Sequence, residues 1–126
     1  MRDISQNLGF TQTIVPAVQA ATINGTSVDT NGFESAALVI NTGAIVGAAS
    51  ISAKLQDSSD GTNFADVPAA LLVGALPGVL AANSAYKQGY LGGNRYLRAV
   101  LTLNSGTSLA AGATVVLGNP KVAPVN

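Results

Sequence analysis

Three aspartates crowd the segment LQDSSDGTNFADV, residues 55–67, and their spacing raises the question of a metal site or a catalytic carboxylate cluster. A calcium-binding EF-hand loop needs oxygen ligands at positions 1, 3 and 5, Gly at position 6 and Glu at position 12. Counted from Asp57, position 5 is Gly61, and counted from Asp60, position 6 is Ala65. Neither register fits, so a looser calcium site made by Asp57, Asp60 and Asp66 is the alternative that stays open.

The composition of the chain speaks against catalysis. It contains no His and no Cys, which removes thiolate nucleophiles, disulfides, imidazole ligands and the commonest general base near neutral pH. Catalytic carboxylates also need a cleft and a second group that drives their pKa values apart. We therefore expect no enzyme activity, no catalytic residue, no cofactor and no metal on which stability depends.

The same segment carries the marks of a turn. Asp60–Gly61 is a strong turn pair, and Ser and Asn side chains stabilise turns by bonding the nearby backbone. An alternating run precedes it, and Phe64 and Val67 resume the apolar pattern after it. The pattern predicts a hairpin loop.

A second segment, GYLGGNRYLR at residues 89–98, combines glycines with tyrosines and arginines. Its Gly92–Gly93 pair has neither the Rossmann nor the P-loop spacing, so it does not predict a phosphate site. Tyr and Arg are favoured at binding hot spots. The candidate partner interface is therefore Tyr90, Arg95, Tyr96 and Arg98. The alternative is a turn followed by a strand whose tyrosines pack internally.

Short strands must position these residues. SISAKLQ (50–56) and RYLRAVLTL (95–103) alternate between apolar and more polar side chains, which is typical of half-buried antiparallel strands. SAALVIN (35–41) is apolar on both faces and predicts a central strand. Further strand candidates are ATVVLG (113–118), AYKQGYL (85–91) and AVQAATI (17–23).

Turn residues between these runs predict how the strands connect. Asn24–Gly25 favours a two-residue hairpin, because both positions tolerate positive φ. VPAALL (67–72), with Pro68 near its start, predicts one helical turn. The fold class is all-β, a single-domain antiparallel sandwich or barrel of jelly-roll-like form. The predicted core comprises Leu38, Ile40, Ile51, Leu55, Leu97, Leu101, Val115 and Leu117.

The N-terminal stretch lacks a clear alternating pattern and is uncharged after Asp3. We expect residues 1–12 to form an extended arm and residues 13–126 to form the sandwich domain. Such an arm is either an ordinary first strand or a strand added to a neighbour's sheet.

Charge is scarce and unevenly placed. Charged residues make up 10% of the chain, against about 25% in typical soluble domains. Residues 1–66 carry a net charge of −4 and residues 67–126 a net charge of +4. The halves either pair within one domain or complement each other head to tail between copies. The few, scattered basic residues do not predict nucleic-acid binding.

Residues 67–86 carry no charge and have the length of a membrane span, but Pro68 and Pro77 argue against a spanning helix. We expect a loop that is buried or covered by a partner, and no membrane insertion.

Four stretches together resemble small virion proteins of tailed bacteriophages: VDTNGFESAALVINTGAI, ISAKLQDSSDGTNFADV, GYLGGNRYLRAVLTL and VVLGNPKVAP. The resemblance spans roughly residues 20–124 and rests on strands and turns. It implies a head decoration, or cement, protein that binds the outside of the expanded capsid. The implied partner is the phage major capsid protein, the implied oligomer is a trimer, and the implied location is the capsid exterior after assembly in the host cytoplasm.

The alternative function is a carbohydrate- or receptor-binding sandwich on a phage tail or fibre. Sugar sites usually present aromatic platforms, whereas aromatic residues are only 5% of this chain and Trp is absent. A virion decoration protein is therefore the favoured interpretation.

Overall fold

The computed structural model describes residues 3–122, and these residues form two antiparallel β-sheets that face each other. The strands are β1 (Gly9–Gln19), β2 (Ile23–Asn24), β3 (Val28–Asp29), β4 (Phe33–Val46), β5 (Ser50–Ser58), β6 (Ala65–Asp66), β7 (Leu72–Val73), β8 (Ala85–Tyr90), β9 (Tyr96–Ser105) and β10 (Ser108–Pro120). Sheet I has the order β1-β10-β4-β8-β7. Sheet II has the order β2-β9-β5-β6, with β3 also paired to β9. The predicted all-β fold is confirmed, in its sandwich form.

The core lies between the two sheets. Alternate residues of each strand point inward, which places the apolar set of each strand on the same side. All eight predicted core residues are at most 3% exposed. The stretch 35–41 is confirmed as part of a central strand, because β4 lies between β10 and β8 in sheet I.

The predicted Asn24–Gly25 hairpin is wrong. Ile23 pairs with Leu101 and Val28 pairs with Leu97, so the chain continues along the same edge of β9 on both sides of Gly25. A Cβ on Gly25 would lie 2.3 Å from Thr13 Oγ1. Glycine is therefore required here for close approach between segments, and not for a turn with positive φ.

The first strand begins earlier than the sequence predicts. Residues 9–12, assigned to the N-terminal arm, belong to β1 and pair with residues 117–114 of β10. The register of β1 shifts between Gln12 and Ile14 and again between Ile14 and Ala17. These irregularities obscure the period of two that identifies a strand. Residues 3–8 precede the strand and contain a 3-10 turn, Ser5–Asn7, whereas residues 1 and 2 lie outside the described residues.

The uncharged segment, residues 67–86, runs along one side of the sandwich. It contains the 3-10 turn Ala69–Leu71 after Pro68, in agreement with the predicted helical turn. Val67 and Leu80 are buried, and their amides donate to Leu55 and Ile51 of sheet II. Most residues between these two anchors are exposed or half-buried. Among residues 3–122, no helix has the length and apolar character needed to cross a membrane.

Candidate functional site

The three aspartates of residues 55–67 point in different directions. The predicted hairpin is confirmed, because Gln56 pairs with Asp66 and Asp57 with Ala65 around the loop. Asp57 is buried, whereas Asp60 lies in the exposed loop and Asp66 is exposed on β6. Within the described part of the chain, no three His, Cys, Asp or Glu residues lie close enough to hold a metal ion.

Asp60 organises the hairpin loop. Its Oδ1 accepts hydrogen bonds from the backbone amides of Thr62 and Asn63 at 2.9 Å and from the Ser58 hydroxyl at 2.7 Å. These donors, with the Asn63 amide first, hold the pKa of the Asp60 carboxyl well below its usual range. The carboxylate is thus used by the loop itself, which is the turn predicted from Asp60–Gly61.

Asp66 belongs to a polar network on the outer face of sheet II. It accepts a hydrogen bond from Gln56 Nε2 at 2.8 Å and forms an ion pair with Lys54 at 3.1 Å. These contacts, with Gln56 first, lower the pKa of Asp66. Arg98 donates to Gln56 Oε1 at 2.9 Å and lies 4.3 Å from the centre of the Phe64 ring. This outer face has the charged and amide side chains expected of a hydrated surface.

The predicted partner interface is only partly brought together. Arg95 forms a bidentate pair with Asp29, at 2.8 and 2.7 Å, and also lies 5.3 Å from the centre of the Tyr96 ring. The Arg95 hydrogen bonds lower the pKa of Asp29 to about 2. Asp29 comes from the acidic half of the chain and Arg95 from the basic half, so this pair joins the two halves within one domain. Arg98 lies on β9, two residues after Tyr96.

Tyr90 does not belong to that surface, which corrects the prediction for this residue. Its side chain is only 8% exposed, and its hydroxyl donates to Asp57 Oδ2 at 2.7 Å while accepting the Asn94 amide at 3.1 Å. Burial, followed by the hydrogen bond to Asp57, raises the pKa of Tyr90 to about 12. A Cβ on Gly92 would overlap this phenol, which explains the glycine that follows β8.

The outer face of sheet I differs from that of sheet II in having almost no charge. We call it the apolar face. Strand pairing aligns its side chains in rows that cross the sheet. The first row contains Phe10, Val116, Ala37, Gly89 and Val73, and the second contains Gln12, Thr114, Val39 and Lys87. Lys87 is the one charged side chain in these two rows, while Phe10 is 73% exposed.

A groove of about 430 Å³ opens on the β1 side of the apolar face. Its lining includes Pro16, Val18, Asn41, Gly43, Ala110 and Gly112. Pro16 packs directly on Gly112, where a Cβ would meet the Pro16 ring at 2.7 Å. Val18, at its rim, is 68% exposed. The apolar face thus has an exposed ring in its Phe10 row and a depression near residues 110–112 of β10, which precede that row in the strand.

Sequence reasoning missed the apolar face, although a signal for it was present. The stretch 36–40 is apolar at every position, and a central strand explains only one of its two faces. In the structure, Leu38 and Ile40 face the core, whereas Ala37 and Val39 face outward and are half-buried. A central strand that is apolar on both faces was therefore the sequence signal for an apolar outer face.

No family model matches the chain, and no curated protein matches it. Among solved structures, it is similar to a chain in a structure of infectious bursal disease virus, Gx strain, with 14% identity and a TM-score of 0.45. The alignment covers 91% of this chain and 32% of the viral chain, so this chain spans about a third of the length of its match.

Proposed function

We propose that this protein is a structural component of a bacteriophage particle, a decoration protein that binds the outer surface of the capsid and stabilises it. The observation that carries the proposal is the uncharged segment, residues 67–86, exposed along one side of the sandwich. Val79 is 51% exposed there, and Ala75 and Pro77 are exposed as well. Exposed loops are normally polar, and an uncharged one with exposed apolar residues is typical of a surface that a protein partner covers.

The segment is also held in a manner suited to docking. Val67, at its start, and Leu80, within it, are fixed to sheet II through backbone hydrogen bonds, and Leu76 is partly buried against the core. An anchored loop loses less conformational entropy on binding than a free one. The sequence resemblance to head decoration proteins supports the same partner, the major capsid protein. Binding only to the assembled shell would stabilise that shell by mass action.

Two measurements test the proposal. Quantitative mass spectrometry of purified particles from the encoding virus should find the protein at a copy number comparable to that of capsid subunits. A handful of copies per particle would instead indicate a connector or tail component and would refute a shell role. The carbohydrate-binding alternative predicts retention on glycan surfaces, which the decoration function does not.

A pair of matched variants tests the docking segment. Val79→Asp places a charge in the uncharged segment, and Val46→Asp places the same charge at a site of similar exposure, 53%, at the end of β4. With particles lacking the protein, we expect Val79→Asp to weaken co-sedimentation about tenfold or more, since a buried unpaired charge is costly. Val46→Asp should bind normally. Equal binding by both variants would exclude this segment as the contact.

A further inference from the structure

We propose that the apolar face is a self-association surface, on which a second copy of this chain packs so that the Phe10 ring of each copy enters the groove of the other. This inference does not rest on capsid binding, which we assign to a different surface. It commits to a two-fold dimer in place of the trimer implied by the resemblance.

The size of the apolar face fits such a contact. The face extends over residues 110–118 of β10, and its rows cross five strands at Val116, four at Thr114 and two at Gly118. With about 4.8 Å between strands and about 3.3 Å per residue, this gives roughly 600 Å² of flat area. Stable interfaces bury about 800 Å² on each partner. Protruding side chains, led by Phe10 at 73% exposure, add accessible area to this flat figure.

The Phe10 ring and the groove are complementary features of a single face. Phe10 pairs with Val116, whereas the groove lining includes Gly112 and Ala110. The two features are therefore separated by about 13–20 Å along the strands. Both lie on the β1 side of sheet I, and both are on its outer face. Aromatic side chains that fill pockets of a partner are the usual anchors of protein interfaces.

This placement selects a two-fold arrangement. A cyclic trimer needs two different surfaces on each subunit, whereas a two-fold contact uses one surface twice. A two-fold axis lying in the interface, across the strands at the row of Gln12, Thr114 and Val39, exchanges the Phe10 end with the groove end. The strands of the two copies then run nearly aligned, which is the common geometry for packed sheets.

The same axis places Lys87 near its own counterpart, because Lys87 lies in the axis row opposite Val39. β7 is too short to extend alongside Lys87, since it pairs only with residues 89 and 90 of β8. The long side chain can therefore reach solvent past the sheet edge while its stem stays on the apolar face. Two lysines near one axis repel each other, so a dimer in which one of them is replaced by an acid should be more stable.

Analytical ultracentrifugation of the purified chain, up to about 0.1 mM, tests the inference. We expect a monomer–dimer equilibrium for the wild type. Phe10→Glu should weaken dimerisation about tenfold or more, whereas Leu91→Glu, at a site 63% exposed outside the two rows, should leave it unchanged. A melting temperature close to that of the wild type shows that each variant is folded. If Phe10→Glu is less stable, Phe10→Thr replaces it, because threonine keeps the strand preference without the ring.

A mixing experiment tests the position of the axis. Lys87→Glu alone should dimerise like the wild type or more weakly, but a mixture of the two chains should favour the heterodimer, because each Lys then faces a Glu. A wild type that stays monomeric, or that forms a trimer, overturns the proposal. So does an unimpaired Phe10 variant, or a mixture without heterodimer preference. Val79→Asp should dimerise normally, so capsid binding and self-association fail separately.

Discussion

The hydroxyl of Tyr90 donates a 2.7 Å hydrogen bond to the buried carboxylate of Asp57. Tyr90 ends β8 of sheet I and Asp57 lies on β5 of sheet II, so the bond joins the two sheets at one end of the sandwich. The same hydroxyl accepts the Asn94 amide, which ties the loop between β8 and β9 to this junction. The link depends on the phenol proton.

Stability should therefore fall at high pH. The folded-state pKa of Tyr90 is raised from 10 to about 12, so its contribution is complete below pH 10 and is lost as the pH rises through 12. One retained proton corresponds to a slope of about 1.4 kcal/mol per pH unit in that window. Denaturant unfolding between pH 9 and about pH 12 measures this slope.

Tyr90→Phe is the control for that prediction. The substitution removes the titrating hydroxyl. Because Asp57 loses its donor, the variant should be less stable at neutral pH by about 1–3 kcal/mol. Its free energy of unfolding should then decline less steeply above pH 10 than that of the wild type. Identical slopes for both proteins would mean that Tyr90 does not carry the alkaline transition.

Asp60 should make the hairpin loop sensitive to acid. Its pKa is lowered in the fold, so its stabilising contribution is present above its unfolded value of 3.8 and is lost as the pH falls below it. Asp60→Ala should lower the melting temperature at pH 7 and make it less dependent on pH below 4. Ser59→Ala, in the same exposed loop, serves as the matched control. A melting temperature unaffected by Asp60→Ala at pH 7 would contradict the role given to this carboxylate.

Gly25 should resist substitution more strongly than an unconstrained glycine. A Cβ at this site would approach Thr13 Oγ1 to 2.3 Å and the Ala99 carbonyl oxygen to 2.7 Å. Gly25→Ala is therefore expected to cost about 1–3 kcal/mol through overpacking. Gly78→Ala is the control, because a Cβ there meets nothing within 4 Å. Equal free energies of unfolding for the two variants would show that the close approach is relieved at little cost.

Two deletions test the N-terminal boundary. Removing residues 1–8 leaves β1 whole and should change the melting temperature little. Removing residues 1–12 deletes the part of β1 that pairs with residues 114–117 and should cost about 2 kcal/mol or more in lost backbone hydrogen bonds. It also removes Phe10, so it should abolish dimerisation. Equal melting temperatures for the two deletions would show that residues 9–12 do not stabilise the domain and belong to the arm.

The alternation of apolar and polar residues along the strands accounts for most of the correct predictions from the sequence. Ile51 and Leu55 face the core because strand side chains alternate, and the same period of two correctly predicted that Leu97 and Leu101 are buried. Around β1 the period fails, since each irregularity shifts the following residues to the other face. Local pattern therefore identified the central strands better than the edge strand.

The remaining misses involve contacts between residues distant in sequence. Asn24–Gly25 has the composition of a turn, but its glycine is set by Thr13 and Ala99. Tyr90 is near Arg95 in the sequence, yet its side chain turns inward to Asp57, 33 residues earlier. Neither partner is visible in a local window.

The pairing of β1 with β10 has a consequence for how the chain is made. Gly9 leaves the ribosome more than a hundred residues before its partner Leu117. At typical translation rates that interval is on the order of 5–20 s. During it, β1 has no neighbour in its sheet and its apolar side chains are available to other nascent chains. We therefore expect the yield of soluble protein to depend on synthesis rate and on chaperones that hold this strand until β10 emerges.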